Sequence, residues 1–253
     1  MEGLRLPPAY LLVTRETVDS TNEEAKRLAR EGAEDGTLVW ARSQTAGRGR
    51  GGRSWASPPG NLYFSLVLRP GCAPARAAEL AFVAALGVGN ALGSVLPPLS
   101  EVRYKWPNDV LLNERKVAGI LLETESAAGG ELDWLVLGIG INLASHPEDT
   151  DYPATDLEYE TGVKQDPPEV LAAFARHFLV WVNRWLGEGF APVRLAWKAQ
   201  ATGIGARVRV RLPKETLRGT FVDLEPDGRL VLDLGRKGGV RRISAGDVFF
   251  EST

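Results

Sequence analysis

The sequence predicts an α+β fold: a mixed β-sheet carrying helices on one face, followed by a small β-barrel. Three observations lead there. Runs of β-branched, aromatic and aliphatic residues recur between Thr37 and Ile139, a few longer segments show helical spacing instead, and past residue 200 the chain breaks into short strand-like runs separated by Gly, Pro and Asp. With 253 residues, 44% hydrophobic and 25% charged, the chain can bury a substantial core. The composition change near Ala201-Thr202-Gly203 divides it into residues 1–200 and 201–253.

The elements follow in order. Asp19-Ser20-Thr21-Asn22 supplies helix-capping side chains ahead of Ala25, Leu28 and Ala29, which predicts a short helix over Asp19–Glu31. Thr37–Ala41 and Leu62–Leu68 read as strands joined by a long glycine-rich loop. Ala75–Leu96 is rich in Ala and Leu without an internal proline, hence a helix that Pro97-Pro98 ends. Val102–Lys105, Asp109–Leu112, Lys116–Glu123 and Leu132–Ile139 read as successive strands, with Asn113-Glu114-Arg115 as a hairpin turn. After the polar stretch from His146 to Pro168, Glu169–Leu186 places Leu171, Phe174, Phe178, Trp181 and Trp185 at spacings of three and four, an amphipathic helix lying on the sheet. Arg207–Leu212, Leu217–Leu224, Arg229–Leu234 and Val240–Ile243 then form the strands of a small SH3-like barrel.

Composition narrows the function. Thirty Lys and Arg against 32 Asp and Glu leave a net charge of −2, so no global field draws the chain to nucleic acid or an anionic membrane. Cys72 is the only cysteine, which excludes an intrachain disulfide and fits a reducing compartment. No uninterrupted apolar run reaches the length of a membrane span and no signal-like segment follows Met1, so the expectation is a cytoplasmic protein. His146 and His177 lie far apart in sequence, and neither receives a catalytic role.

Four constellations carry chemistry. Gln44-Thr45-Ala46-Gly47-Arg48-Gly49-Arg50-Gly51-Gly52-Arg53-Ser54-Trp55 alternates glycine with arginine, giving exposed backbone N–H groups and guanidinium forks suited to carboxylate and phosphate. Taken alone it reads equally as a flexible basic loop. Lys105-Trp106-Pro107-Asn108-Asp109 sits at a turn between two strands, where a cation, an amide and a carboxylate can converge; a capping turn is the plainer reading. Lys116-Val117-Ala118-Gly119 opens an apolar strand with a lysine that must end at solvent, a counter-charge or a ligand. Gly138-Ile139-Gly140-Ile141-Asn142 places glycines where a ligand can approach a strand end, although strand glycines also mark simple bulges.

In this order, and preceded by Asp19-Ser20-Thr21-Asn22, these motifs resemble the catalytic domain of the biotin protein ligases, and Ala245-Gly246-Asp247-Val248 resembles that family's C-terminal barrel. The resemblance implies the class II synthetase-like architecture of biotin and lipoate ligases. It also implies formation of biotinyl-5′-AMP from biotin and ATP with Mg²⁺, then transfer of biotin to a lysine of a biotin carboxyl carrier protein. Carried over residue by residue, Ser20, Thr21, Asn22, Gln44, Gly47, Arg48, Gly49, Arg50, Lys116 and Gly119 would bind biotin. Arg50, Arg53, Trp55, Lys105, Asn108 and Asn142 would bind ATP and the adenylate, with Trp55 against adenine, and Asp109 would hold Mg²⁺. Lys116, Arg48 and Arg50 would be the catalytic residues.

Some members of that family carry an N-terminal helix-turn-helix domain and act as repressors. The eighteen residues before Asp19 are too few for one, so the expectation is a ligase without repressor function or nucleic-acid partner. The arginines at 207, 209, 211, 236, 241 and 242 are the alternative nucleic-acid surface, and read better as solvated strand faces. Lipoate ligases and octanoyl transferases are the enzymatic alternatives, but the latter use a cysteine nucleophile and Cys72 lies outside every motif. Dimerisation through the sheet is left open.

Overall fold

The computed structural model describes residues 4–126, 130–236 and 238–250. Its first sheet has seven strands: β1 (Leu11–Val18), β2 (Thr37–Gln44), β3 (Leu62–Leu68), β4 (Val102–Lys105), β5 (Asp109–Leu112), β6 (Arg115–Ser126) and β7 (Leu132–Ile141), ordered β1-β2-β3-β7-β6-β5-β4. Only β1 and β2 pair in parallel; the other pairings are antiparallel, so the sheet is mixed.

Alternation along β2 shows how the layers form. Leu38 and Trp40 face the main core, whereas Val39 faces a smaller cluster with Ala25, Ala29, Val67, Trp134 and Val136. The main core is covered by α3 (Leu80–Gly93) and α5 (Pro167–Glu188), and the small cluster by α1 (Thr21–Arg30). The two large helices therefore share one face, as the sequence predicts, and the short capped helix covers the other. The segment expected as one helix over residues 75–96 comprises α2 (Pro74–Ala77) and α3, because the backbone tightens through Ala78 and Glu79 into i→i+3 bonds, Glu79 N–H to Arg76 O among them. Pro74–Gly93 has the length and mean hydropathy, 1.3, of a membrane span, but 67% of its most apolar window is buried inside the protein. Its apolar character is that of a core helix.

The hairpin between β5 and β6 is tighter than the sequence suggests. Asn113 and Glu114 both take positive φ, 48° and 64°, and Arg115 already belongs to β6. Four elements carried no signal in the sequence. β1 is an edge strand whose Leu11 and Leu12 stay exposed, so it lacks the apolar face by which strands are recognised. The others, α4 (Leu157–Thr161), α6 (Phe190–Ala199) and a last strand, are short and owe their conformation to what they pack on.

The second sheet, β8 (Arg207–Arg211), β9 (Thr216–Leu224), β10 (Leu230–Asp233), β11 (Val240–Ile243) and β12 (Asp247–Phe250), is antiparallel in the order β11-β10-β9-β8-β12. It shares a core with the first: Val208, Phe221 and Leu232 belong to the same buried cluster as Phe64 and Phe174. Trp106 Nε1–H donates to Gly228 O at 3.0 Å, and the Phe82 ring stands edge-on to Phe190 and Trp197, both at 5.2 Å. The Trp106 bond ties the turn between β9 and β10 to the first sheet.

Beneath them, Tyr104 is fully buried beside Gly89, and its hydroxyl has no hydrogen-bond partner. Tyr104→Phe removes a desolvated group without breaking a bond, so urea denaturation should show unchanged or higher stability, by up to about 1–2 kcal/mol. Gly89→Ala drives a methyl group into the same ring and should lose about 1–3 kcal/mol. Clear destabilisation by Tyr104→Phe would mean that the hydroxyl is bonded.

Candidate functional site

A cavity of about 510 Å³ opens where α1, the end of β2, the strands β5–β7 and β12 converge. Every site residue expected from the sequence lines it except Gly47. A Cβ at Gly47 would lie 2.5 Å from both Ser57 Oγ and Trp55 O, so this glycine lets the loop base pack and does not face the cavity.

One end is polar and uncharged. Gln44 Oε1 accepts from Thr21 N at 2.7 Å and from Thr21 Oγ1 at 3.1 Å, while Gln44 Nε2 donates to Ser57 Oγ at 2.8 Å. Ser65 Oγ reaches both Thr21 Oγ1 at 2.8 Å and Asn22 Oδ1 at 2.6 Å. Asn22 Nδ2 donates to Glu123 Oε2 at 2.8 Å. Donors and acceptors at this end are thereby held in place by protein partners before any ligand arrives.

The floor is made by glycines whose role depends on strand register. Gly119 and Gly140 are direct partners across β6 and β7, and the Trp55 ring lies over both: a Cβ at Gly140 would meet Trp55 Nε1 at 2.6 Å, and one at Gly119 would meet Cζ3 at 2.8 Å. Trp55 Nε1 is buried without a partner, and the Lys116 ammonium stands 5.3 Å from the ring centroid.

The other end is charged. Asp109 receives Lys116 Nζ at 2.6 Å on one oxygen and Lys105 Nζ at 3.1 Å on the other. Lys105 and Asp109 are only 5% and 8% exposed. Burial alone would raise the Asp109 pKa, but Lys116 and Lys105 outweigh it and hold the carboxyl far below the usual carboxylate range. Burial lowers the Lys105 pKa, against the pull of Asp109. With both its oxygens on lysines, Asp109 does not present a free ligand for Mg²⁺, and among the described residues no cluster of three or more His, Cys, Asp or Glu side chains could hold a metal. A metal here would have to bring most of its oxygen ligands with it.

The Gly-Arg segment folds as a hairpin over this cavity, with Trp55 N–H bonded to Gly47 O at 2.9 Å and Gly49 N–H to Arg53 O at 2.7 Å. Arg50 donates to Asn108 Oδ1 at 2.9 Å and to Gly246 O at 3.3 Å, Arg53 pairs with Asp247 at 3.0 Å, and Arg48 pairs with Glu23 at 2.6 Å. Asn108 and Asn142 also line the cavity: Asn108 Nδ2 donates to Ile120 O, and Asn142 Nδ2 to Thr155 O at 3.0 Å.

Sequence reasoning missed the groups that reach the cavity from remote parts of the chain. Tyr152 stacks its ring 4.6 Å from Lys105 Nζ, and Asp151, Asp247 and Phe249 line the same wall. Arg211 joins two of them, pairing with Asp151 at 2.6 Å and Asp247 at 3.3 Å. The one available signal was the sequence around Gly246-Asp247, noted as part of the barrel without a site role. Cys72 is buried away from the cavity, and His146 is bonded to Asp156 at 2.6 Å, beside the start of α4.

An uncharged recognition end and a cationic end on one glycine floor, within a mixed sheet followed by a small antiparallel one, define an acyl-activating ligase site. The chain belongs to the biotin/lipoate A/B protein ligase family, whose model matches residues 6–199; the model of the biotin protein ligase C-terminal domain matches residues 203–251. More particularly, it is 43% identical over 237 residues to the biotin–[acetyl-CoA-carboxylase] ligase of Paracoccus denitrificans, covering 92% of this chain and 97% of that one. It is 33% identical to the bifunctional ligase/repressor BirA of Bacillus subtilis, covering 94% of this chain but 73% of that protein. The biotin protein ligase from Aquifex aeolicus, solved in complex with biotin and ATP, superposes with a TM-score of 0.80 at 31% identity, covering 96% of this chain and 99% of that one.

The Lys105–Asp109–Lys116 cluster makes a stability prediction. Asp109→Asn leaves two lysines facing a neutral amide in a buried site and should cost about 3–5 kcal/mol at pH 7. Because the folded-state pKa is depressed, the wild-type advantage is present above the unfolded carboxyl value and is lost only as pH falls toward the folded one. Urea denaturation of both forms from pH 7 downward checks this; an advantage already gone near pH 4 would mean that Asp109 is not held between the lysines.

Proposed function

We infer that this protein is an ATP-dependent biotin protein ligase, which joins biotin and Mg-ATP into biotinyl-5′-AMP and passes the biotin to a lysine of a biotin carboxyl carrier protein. The observation that supports this best is the division of one cavity into a fixed uncharged end, a glycine floor and a cationic end. The uncharged end suits the ureido group of biotin, with Ser20, Thr21 and Gln44 as its donors and acceptors. A lipoyl or octanoyl chain carries no matching polar group for those donors and acceptors, which disfavours it. Octanoyl transfer would also need a cysteine nucleophile, and Cys72 does not line the cavity.

The reaction brings a carboxylate to a phosphorus that already carries negative charge, so the site must neutralise and align two anions. Lys116, at the junction of the glycine floor and the charged end, is the residue placed to touch both. Arg48 and Arg50 approach from the lid, Arg53, Lys105, Asn108 and Asn142 surround the phosphates, and Trp55 supplies the aromatic face for the adenine ring. Mg²⁺ carried by ATP would neutralise part of the phosphate charge. As phosphate oxygens take over Lys116, Asp109 remains paired with Lys105 and opposes the effect of its burial. Water must then be excluded from the mixed anhydride until the carrier lysine attacks it, which is the task of the lid. ATP supply and the single buried thiol support a cytoplasmic reaction, with a biotin-dependent carboxylase or its carrier subunit as acceptor.

The test is pyrophosphate exchange into ATP. It should depend on biotin and not on lipoate, and Lys116→Ala should lower its rate by about 100- to 1000-fold while leaving biotin binding by calorimetry largely intact. Exchange supported by lipoate alone would overturn the substrate, and a Lys116→Ala rate near wild type would reduce that lysine to a surface cation.

A further inference from the structure

The lid is fastened at two places by different parts of the molecule. Arg50 and Arg53 reach the turn at Asn108 and the second sheet at Gly246 and Asp247, whereas Arg48 reaches the opposite wall, where it pairs with Glu23 on the first turn of α1. Glu23 is not a free surface carboxylate. Its side chain is 22% exposed, and the same oxygen that meets Arg48 accepts from Lys26 Nζ at 2.6 Å. Lys26 also donates to Glu123 at 2.9 Å, and the other oxygen of Glu123 takes Asn22 Nδ2 at 2.8 Å. Burial alone would raise the Glu123 pKa, but Asn22 and Lys26 outweigh it and keep the group ionised at neutral pH. A path of charge-assisted hydrogen bonds thus runs from Asn22, at the uncharged end of the cavity, through Glu123 and Lys26 to Glu23, and an ion pair extends it to Arg48 on the lid.

We propose that Glu23 is a positioning residue for the ligase reaction: held by Lys26 and Glu123, it latches Arg48 and so keeps the lid closed over the activated acyl intermediate. The proposal rests on the ligase reading of the cavity. Geometry limits its scope. Glu23 does not line the cavity, so it acts on the lid and not on the reacting atoms. Arg48 is half exposed, so the bond gains its worth from the fixed position of Glu23 and not from burial of the guanidinium. Glu23→Gln would leave Lys26 its bond to Glu123 and take from Arg48 its anionic partner.

The experiment preforms radiolabelled biotinyl-5′-AMP on the full chain and follows its release after a chase with unlabelled intermediate, for wild type, Glu23→Gln, Arg48→Ala and the double variant. Biotin-dependent pyrophosphate exchange and thermal stability are measured on the same preparations. Glu23→Gln should release the intermediate about tenfold faster, as the loss of one charge-assisted contact implies, with exchange at saturating substrates and melting temperature close to wild type. In the Arg48→Ala background the same substitution should add nothing. A purely structural role would instead lower stability and exchange together and leave release unchanged. Release unchanged by Glu23→Gln, or effects of the two substitutions that multiply, would overturn the proposal. Glu23→Asp, which keeps the charge but shortens its reach to Arg48, serves the same comparison if the glutamine variant does not accumulate. A wild-type protein without biotin-dependent exchange would refute the ligase reading itself, which this set of measurements separates from the latch.

Discussion

The Asp109 carboxylate, held between Lys105 and Lys116, is the interaction on which the site depends. A lysine as buried as Lys105 would tend to shed its proton if it stood alone, and two unpaired ammonium groups at the end of a half-enclosed cavity would repel each other. One carboxylate between them opposes that loss at Lys105 and fixes where both lysines point while no anion is bound. It also fixes in advance the positions of the two lysine nitrogens that an entering anion would meet.

The sheet supplies that arrangement through register. Asp109 and Gly119 are opposite one another on β5 and β6, and Gly119 is in turn opposite Gly140 on β7. A single row across three strands therefore carries the counter-ion of the lysines and the two glycines under Trp55. Shifting either pairing by one residue would put side chains where the floor must be bare. The shared core of the two sheets then brings Asp247 to Arg53 and Gly246 to Arg50, so the lid is held partly by a domain that contributes little else to the cavity.

Much of this was legible in the chain. The helix after Asp19-Ser20-Thr21-Asn22, the strands around residues 62–68 and 132–141, and the motifs at 44–55, 105–109 and 116–119 stand out because local periodicity and residue type suffice to mark them. What stayed hidden depends on contacts distant in sequence. β1 looks unlike a strand because it lies at an edge, and Tyr152, Asp247 and Phe249 become site residues only through packing of the second sheet and the loop after residue 143. Glu23 reads as an ordinary first-turn glutamate until Arg48 is placed against it. Composition likewise could not reveal that Lys105 and Lys116 would each contact one oxygen of Asp109, the residue that the resemblance assigned to a metal.

The account holds that this cavity activates biotin with Mg-ATP and delivers it to one carrier lysine. Its most direct test is intact mass analysis of a biotin carboxyl carrier domain incubated with the purified protein, Mg-ATP and an equimolar mixture of biotin and lipoate. The account predicts a single ATP-dependent addition of the mass of a biotinyl group, absent when the acceptor lysine is replaced by arginine. Addition of a lipoyl group, or no addition while the same carrier is labelled by a known biotin ligase, would contradict it.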